Sequence, residues 1–81
     1  MKKRSVMLAG HRTSISLEEE FWSALRELAR TGNLSLNALV AKIDTDRATR
    51  PTPPNLSSAL RLHVLECARR GELASLPAGE A

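Results

Sequence analysis

Arg12-Thr-Ser-Ile-Ser-Leu17, followed at once by Glu18-Glu-Glu-Phe-Trp22, is the stretch on which the fold of this 81-residue chain turns. In its first six residues polarity alternates. Thr13, Ile15 and Leu17 share one side and Arg12, Ser14 and Ser16 the other, because successive side chains of an extended strand point to opposite faces. This is the pattern of a short strand with one buried and one polar face. No second β-pattern follows it, yet its backbone donors and acceptors need partners. The reading that satisfies them is pairing with its own copy in a second subunit, a two-stranded antiparallel ribbon about a two-fold axis.

Downstream the period changes from two to helical. Glu18, Glu19 and Glu20 crowd a first helical turn, where the helix dipole favours negative charge. Phe21, Leu25 and Leu28 then form an i, i+4, i+7 stripe, widened by Trp22, Ala24 and Ala29. This helix stops near Thr31-Gly32-Asn33, where Gly32 and Asn33 accept a left-handed conformation cheaply. Ser35 caps a second helix, whose Leu36, Leu39, Val40 and Ile43 repeat the spacing until it fades around Asp44 to Arg47. Three prolines in the four residues Pro51 to Pro54 hold the next segment extended. Asn55 caps a third helix, with Leu56, Ala59, Leu60, His63, Val64 and Cys67 on one stripe. The expected organisation is a basic arm over 1–10, a core over 11–46, a proline-rich linker over 47–54, a third helix over 55–71 and a tail over 72–81. The class is mainly α.

Upstream and in composition, the chain is basic where the strand lies. Residues 1–14 hold Lys2, Lys3, Arg4 and Arg12 with no acid, while 15–46 carry six acids against three bases. A basic first segment on a balanced body suits a polyanionic partner. A chain this short buries a modest core and often needs a disulfide, a metal or a partner subunit. Cys67 is the only cysteine, which removes an internal disulfide and fits a reducing compartment. His63 and Cys67 stand four apart on a helix, but with His11 they are the only soft ligands, and a packed apolar face explains the pair without a metal. The apolar run Val6 to Ala9 is too short for a signal sequence, and no stretch approaches a membrane span. The sequence thus reads as soluble and cytoplasmic.

Nothing resembles a nucleophile–base pair, a phosphate loop or a catalytic carboxylate dyad. No enzyme, cofactor or small-molecule substrate is expected. Trp22 and Phe21, the only aromatics, sit behind three glutamates on a helix and read as packing residues, not as a stacking platform for bases.

Strand, helix, tight turn and helix in about 35 residues resembles the ribbon-helix-helix family of Arc/MetJ/CopG-type repressors over residues 11–46. The stretch from Asn55 to Arg69 is similar to a bacterial subfamily with an added helix. The resemblance implies a homodimer that grips double-stranded DNA. Its base-reading residues would be Arg12, Ser14 and Ser16 in the major groove, since Arg reaches guanine bidentately and Ser hydroxyls serve several bases. Its phosphate contacts would come from the backbone at Ser35 and Leu36. Apart from the resemblance, His11 at the strand's start reads as a further phosphate contact, and Lys2, Lys3 and Arg4 read either as a phosphate-binding arm or as a disordered solubilising segment. The dimer core that the resemblance implies would be Ile15, Leu17, Phe21, Leu25, Leu28, Leu36, Leu39, Val40 and Ile43. The third helix, whose stripe is too wide for water, would wrap over the other subunit or join dimers into a tetramer.

Two features depart from the family pattern. Asn33 stands where the family turn usually has glycine. Ser16 and Glu19 spell a capping box, which would take Ser16 out of the groove and leave Arg12 and Ser14 to read. The expected function is a repressor-like, sequence-specific regulator. Two other readings stay open: a dimeric protein–protein interaction module that keeps the fold without binding DNA, and a DNA-binding antitoxin.

Overall fold

Alternation runs further upstream than Arg12. Strand β1, Lys2–Leu8, precedes strand β2, His11–Leu17, and the two pair antiparallel in one chain. Between them Ala9 and Gly10 have φ of 51° and 81°, the double positive φ of a type I′ turn, whose twist matches that of the strands it joins. The computed structural model describes residues 1–73, so most of the expected tail over 72–81 lies outside the described residues.

The pairing corrects one sequence-based expectation. The ribbon is present, but its second strand is β1 of the same chain and not a copy of β2, and residues 2–8 are a strand and not an arm. Ala9-Gly10 is a weaker turn signal than Asn-Gly or Asp-Gly, and β1 reads as basic before it reads as alternating. Its inward set is nonetheless regular. Val6 and Leu8 are buried beside Ile15 and Leu17, with Arg4 and Thr13 partly buried.

Helix α1, Glu19–Thr31, follows β2 and buries Trp22, Ala24, Leu25 and Ala29 in the core shared with the hairpin. Trp22 is fully buried, and its Nε1–H donates to the Lys2 carbonyl at 2.8 Å, tying helix to hairpin. The helix ends through Asn33, at φ 59°. The Leu34 N–H bonds the Ala29 carbonyl at 2.8 Å and the Asn33 N–H the Arg30 carbonyl at 3.1 Å. This is a Schellman closure with Asn in the left-handed position, so the turn survives without glycine there.

Helix α2, Leu36–Ala48, is capped by Ser35, whose Oγ accepts from the Ala38 N–H at 3.0 Å. It runs one residue past Arg47, and Arg47 binds Asp44 at 2.6 Å and the Pro54 carbonyl at 3.2 Å, fastening the proline segment to the helix. Helix α3, Leu56–Arg69, is capped by Asn55, whose Oδ1 accepts from the Ser58 N–H at 2.8 Å.

The third helix docks in its own chain, against α2, α1 and β2. Ala59, Leu60, Val64 and Cys67 complete the core begun by the hairpin and by Leu39, Val40 and Ile43 of α2. Arg61 clasps Glu18 through two nitrogens, at 3.0 and 3.2 Å, and lies over the Phe21 ring. Ala59, Leu60, Val64 and Cys67 of the α3 stripe are thus covered inside one chain, while Leu62 and Leu65, which widen it, remain exposed. Of the residues expected in a dimer core, Ile15, Leu17, Leu25, Leu39, Val40 and Ile43 are buried here, and Phe21, Leu28 and Leu36 pack partly buried against them.

Candidate nucleic-acid interface

With the helices on its inward face, the hairpin leaves its other face to solvent. Register places Lys3 opposite Ser16, Ser5 opposite Ser14 and Met7 opposite Arg12. All six side chains lie on this outer face, exposed except for the partly buried Ser16. Residues 1–17 contain no carboxylate. The first acid after them, Glu18, has its carboxylate taken up by Arg61, whose hydrogen bond holds its pKa below the usual value. Glu19 is within 3.3 Å of Arg26. The ribbon thus shows a positive, hydroxyl-bearing surface two strands wide.

Arg12, Ser14 and Ser16, singled out in the sequence, stand side by side on this surface. Helix α1 begins at Glu19 with Glu18 in the cap position and no side-chain cap bond. The Ser16–Glu19 capping box does not form, and Ser16 stays in the strand. The basic residues expected to meet phosphate divide. Lys3 belongs to the outer face. Lys2 and His11 are exposed at opposite ends of the hairpin, on the inward register. Arg4 turns inward, its guanidinium carbon 5.9 Å from the centre of the Trp22 ring, so its charge is engaged by packing.

The start of α2 is held against the ribbon by one side chain. Asn37 Oδ1 accepts the Met7 N–H at 2.8 Å and Asn37 Nδ2 donates to the Met7 carbonyl at 2.9 Å. The first turn of α2, with its unbonded N–H groups at Leu36 and Asn37, therefore flanks the β1 edge near the turn. A ribbon face beside a helix N-terminus offers two kinds of contact, side chains for base edges and backbone N–H groups for an anion. Sequence reasoning missed Ser5, Met7 and Asn37. The first two were legible in the alternation of Arg4, Val6 and Leu8, while Asn37 gave no signal, since its contact spans thirty residues.

Away from the ribbon, His63 and Cys67 meet on α3, with Nε2 and Sγ 3.6 Å apart. Burial lowers the His63 pKa, helped by the charge of Arg70, and burial raises that of the Cys67 thiol, helped by Glu72. A thiol so held is a packed, unreactive one. No group of three or more His, Cys, Asp or Glu side chains able to hold a metal occurs among the described residues. A cavity of about 510 Å³ between α2 and α3, lined by Asp46, Arg50, His63, Glu66 and Arg69 among others, carries both signs of charge and no ribbon residue.

Compared with known protein families, residues 1–68 match the family model described as a ribbon-helix-helix domain. The match includes β1 and nearly all of α3. No curated protein and no solved structure matches the chain.

Proposed function

Because this chain belongs to the ribbon-helix-helix family, we propose that it binds double-stranded DNA through the outer face of its hairpin and acts as a repressor-like transcriptional regulator. Ribbon-helix-helix domains are, as a family, DNA-binding regulators that typically dimerise and are typically not enzymes. The observation that carries the proposal is the placement of Arg12, Ser14 and Ser16 together on the exposed face of a two-stranded ribbon free of carboxylates. A two-stranded ribbon has the width the major groove admits.

In this reading Arg12 reads guanine and the serines take whichever base edges lie within reach. The N–H groups at Leu36 and Asn37, the Ser35 hydroxyl, Lys2 and His11 take backbone phosphates, which set register and affinity. The regulator works as a homodimer in the bacterial cytoplasm, in keeping with the family. Because ribbon and core are each complete in one chain, the dimer joins outside them, and exposed Leu62 and Leu65 on α3 are apolar surface of the kind such contacts use. No helix among the described residues is long and apolar enough to cross a membrane. An antitoxin reading loses support, since α3, where a toxin-binding tail would begin, is docked on its own core.

The experiment is fluorescence anisotropy on mixed-sequence duplex DNA at two salt concentrations, wild type beside Arg12→Ala. Binding should fall steeply with added salt as counterions are released, and the substitution should weaken it further. A folded protein with no duplex affinity at low salt would pass the function to the protein–protein interaction reading.

A further inference from the structure

Granting DNA binding by the hairpin face, we infer that each chain reads DNA with a complete ribbon of its own. Lys3, Ser5 and Met7 of β1 recognise bases beside Arg12, Ser14 and Ser16 of β2, and the short sequence so selected lacks two-fold symmetry.

Register is the first ground. A ribbon built from two copies of β2 shows Arg, Ser and Ser twice, related by a dyad, and asks for a palindrome. The hairpin shows Arg-Ser-Ser on one strand against Lys-Ser-Met on the other. At the turn end Arg12 stands beside Met7. At the open end Lys3 stands beside Ser16. Arg and Lys both address guanine O6 and N7, whereas the Met7 thioether, 48% exposed, is an apolar group suited to a thymine methyl. The two-fold axis that would relate the strands maps Lys3 onto Arg12 and Ser5 onto Ser14, so the symmetry is broken where Met7 answers to Ser16, a methyl-seeking thioether against a hydrogen-bonding hydroxyl. From Lys3 to Met7 the strand advances about 13 Å, which at 3.4 Å per base step covers roughly four base pairs.

Width is the second ground. Met7 spends its backbone N–H and C=O on Asn37, so both point out of the ladder. By antiparallel alternation, Arg12, Ser14 and Ser16 likewise direct theirs outward along the far edge of β2. Pairing that edge with a second copy would give four strands, about 14 Å across three strand spacings of roughly 4.8 Å before any side chain is counted. The major groove is about 12 Å wide. The hairpin enters it as a two-stranded unit or not at all, and a dimer places two such units on separate stretches of duplex.

The test is selection of bound duplexes from a randomised pool by the full chain, with the stoichiometry measured on the selected motif, for wild type, Lys3→Ala, Met7→Ala and Arg12→Ala. Emission from the single tryptophan, Trp22, checks that each variant is folded. The expected motif is asymmetric and holds one chain per copy. Lys3→Ala and Met7→Ala each reduce base preference about fivefold or more, at opposite ends of the motif. An inverted repeat that needs two chains on one ribbon footprint would overturn the inference while leaving DNA binding intact. So would an unchanged motif in both β1 variants alongside a relaxed one in Arg12→Ala. A folded wild type that retains no duplex at all overturns DNA binding itself, and the inference with it.

Discussion

Asn37 holds Met7 from thirty residues away as though it were one residue of a third strand. Its carboxamide accepts the Met7 N–H at 2.8 Å and donates to the Met7 carbonyl at 2.9 Å. A peptide-like pair of this kind fills one site on the free edge of β1 and fixes the distance between the ribbon and the start of α2. Each bond at an exposed position adds little, about 0.5–1 kcal/mol. Asn37→Ala should therefore cost about 1–2 kcal/mol in chemical denaturation followed by Trp22 emission. Hydrogen exchange at the Met7 amide should quicken by more than at the inward-facing Val6. Equal exchange in variant and wild type would show that the clasp does not persist in solution.

Topology has its own test in the pair Ser5 and Ser14, which face each other across the hairpin on its outer side. They form a non-hydrogen-bonded pair, for which Cα atoms lie about 4.5 Å apart, within the range a disulfide spans. In a Cys67→Ser background, Ser5→Cys with Ser14→Cys should oxidise to a bridge inside one chain. Non-reducing electrophoresis should show a single-chain species with no free thiol. Bridged dimers at high dilution would mean that β1 pairs with the β2 of another molecule.

Much of this was legible beforehand, and the exceptions share a cause. The helical stripes of Leu25, Leu39, Val40, Ile43, Leu60 and Val64 are local, 3.6-residue patterns that report burial whichever chain supplies the partner surface. The caps at Ser35 and Asn55 and the left-handed Asn33 depend on a few neighbouring residues. What a periodic pattern does not contain is the identity of the partner. It told that β2 needs a second strand and that α3 needs a docking surface, not that both lie in the same molecule. β1 was hidden because Lys2, Lys3 and Arg4 announce charge while only Val6 and Leu8 announce a buried face. Ser16 was ambiguous for a related reason: S-x-x-E describes a capping box, but pairing with Lys3 extends the strand through Leu17 and starts the helix at Glu19.

His63 gives the fold a pH dependence whose sign can be worked out. Burial, with Arg70 and Lys42 assisting and Glu72 and Asp46 opposing, holds its folded pKa below the ordinary 6.5. The unfolded chain then binds this proton more readily than the folded one, so stability rises with pH across the interval between the two values. The contribution is intact above about pH 6.5 and is lost as pH falls through the lowered folded value. Glu18 and Glu72 are also lowered, but from 4.5, and titrate below this window. Melting temperatures of wild type and His63→Gln should converge as pH drops from about 7.5 to 5.5. Parallel curves would remove His63 as the cause.

The turn offers a prediction in which two neighbouring substitutions carry opposite signs. Ala9 and Gly10 both have positive φ, yet only Gly10 is suited to it, since a Cβ in the left-handed region meets its own carbonyl. Ala9→Asn installs a residue that tolerates that region and produces the Asn-Gly pair favoured in type I′ turns. It should add about 0.5–1 kcal/mol, which for a domain of this size is a rise of roughly 2–8 °C in melting temperature. Gly10→Ala should lower stability by about 1 kcal/mol. No atom lies within 4 Å of the Cβ it would add, so that cost is backbone strain alone and not a clash. Because neither side chain touches the core or the outer face, both effects should enter stability without altering the duplex motif the protein selects. Two shifts of the same sign would mean that the hairpin closes through some other turn. A changed motif would mean that the turn itself touches DNA.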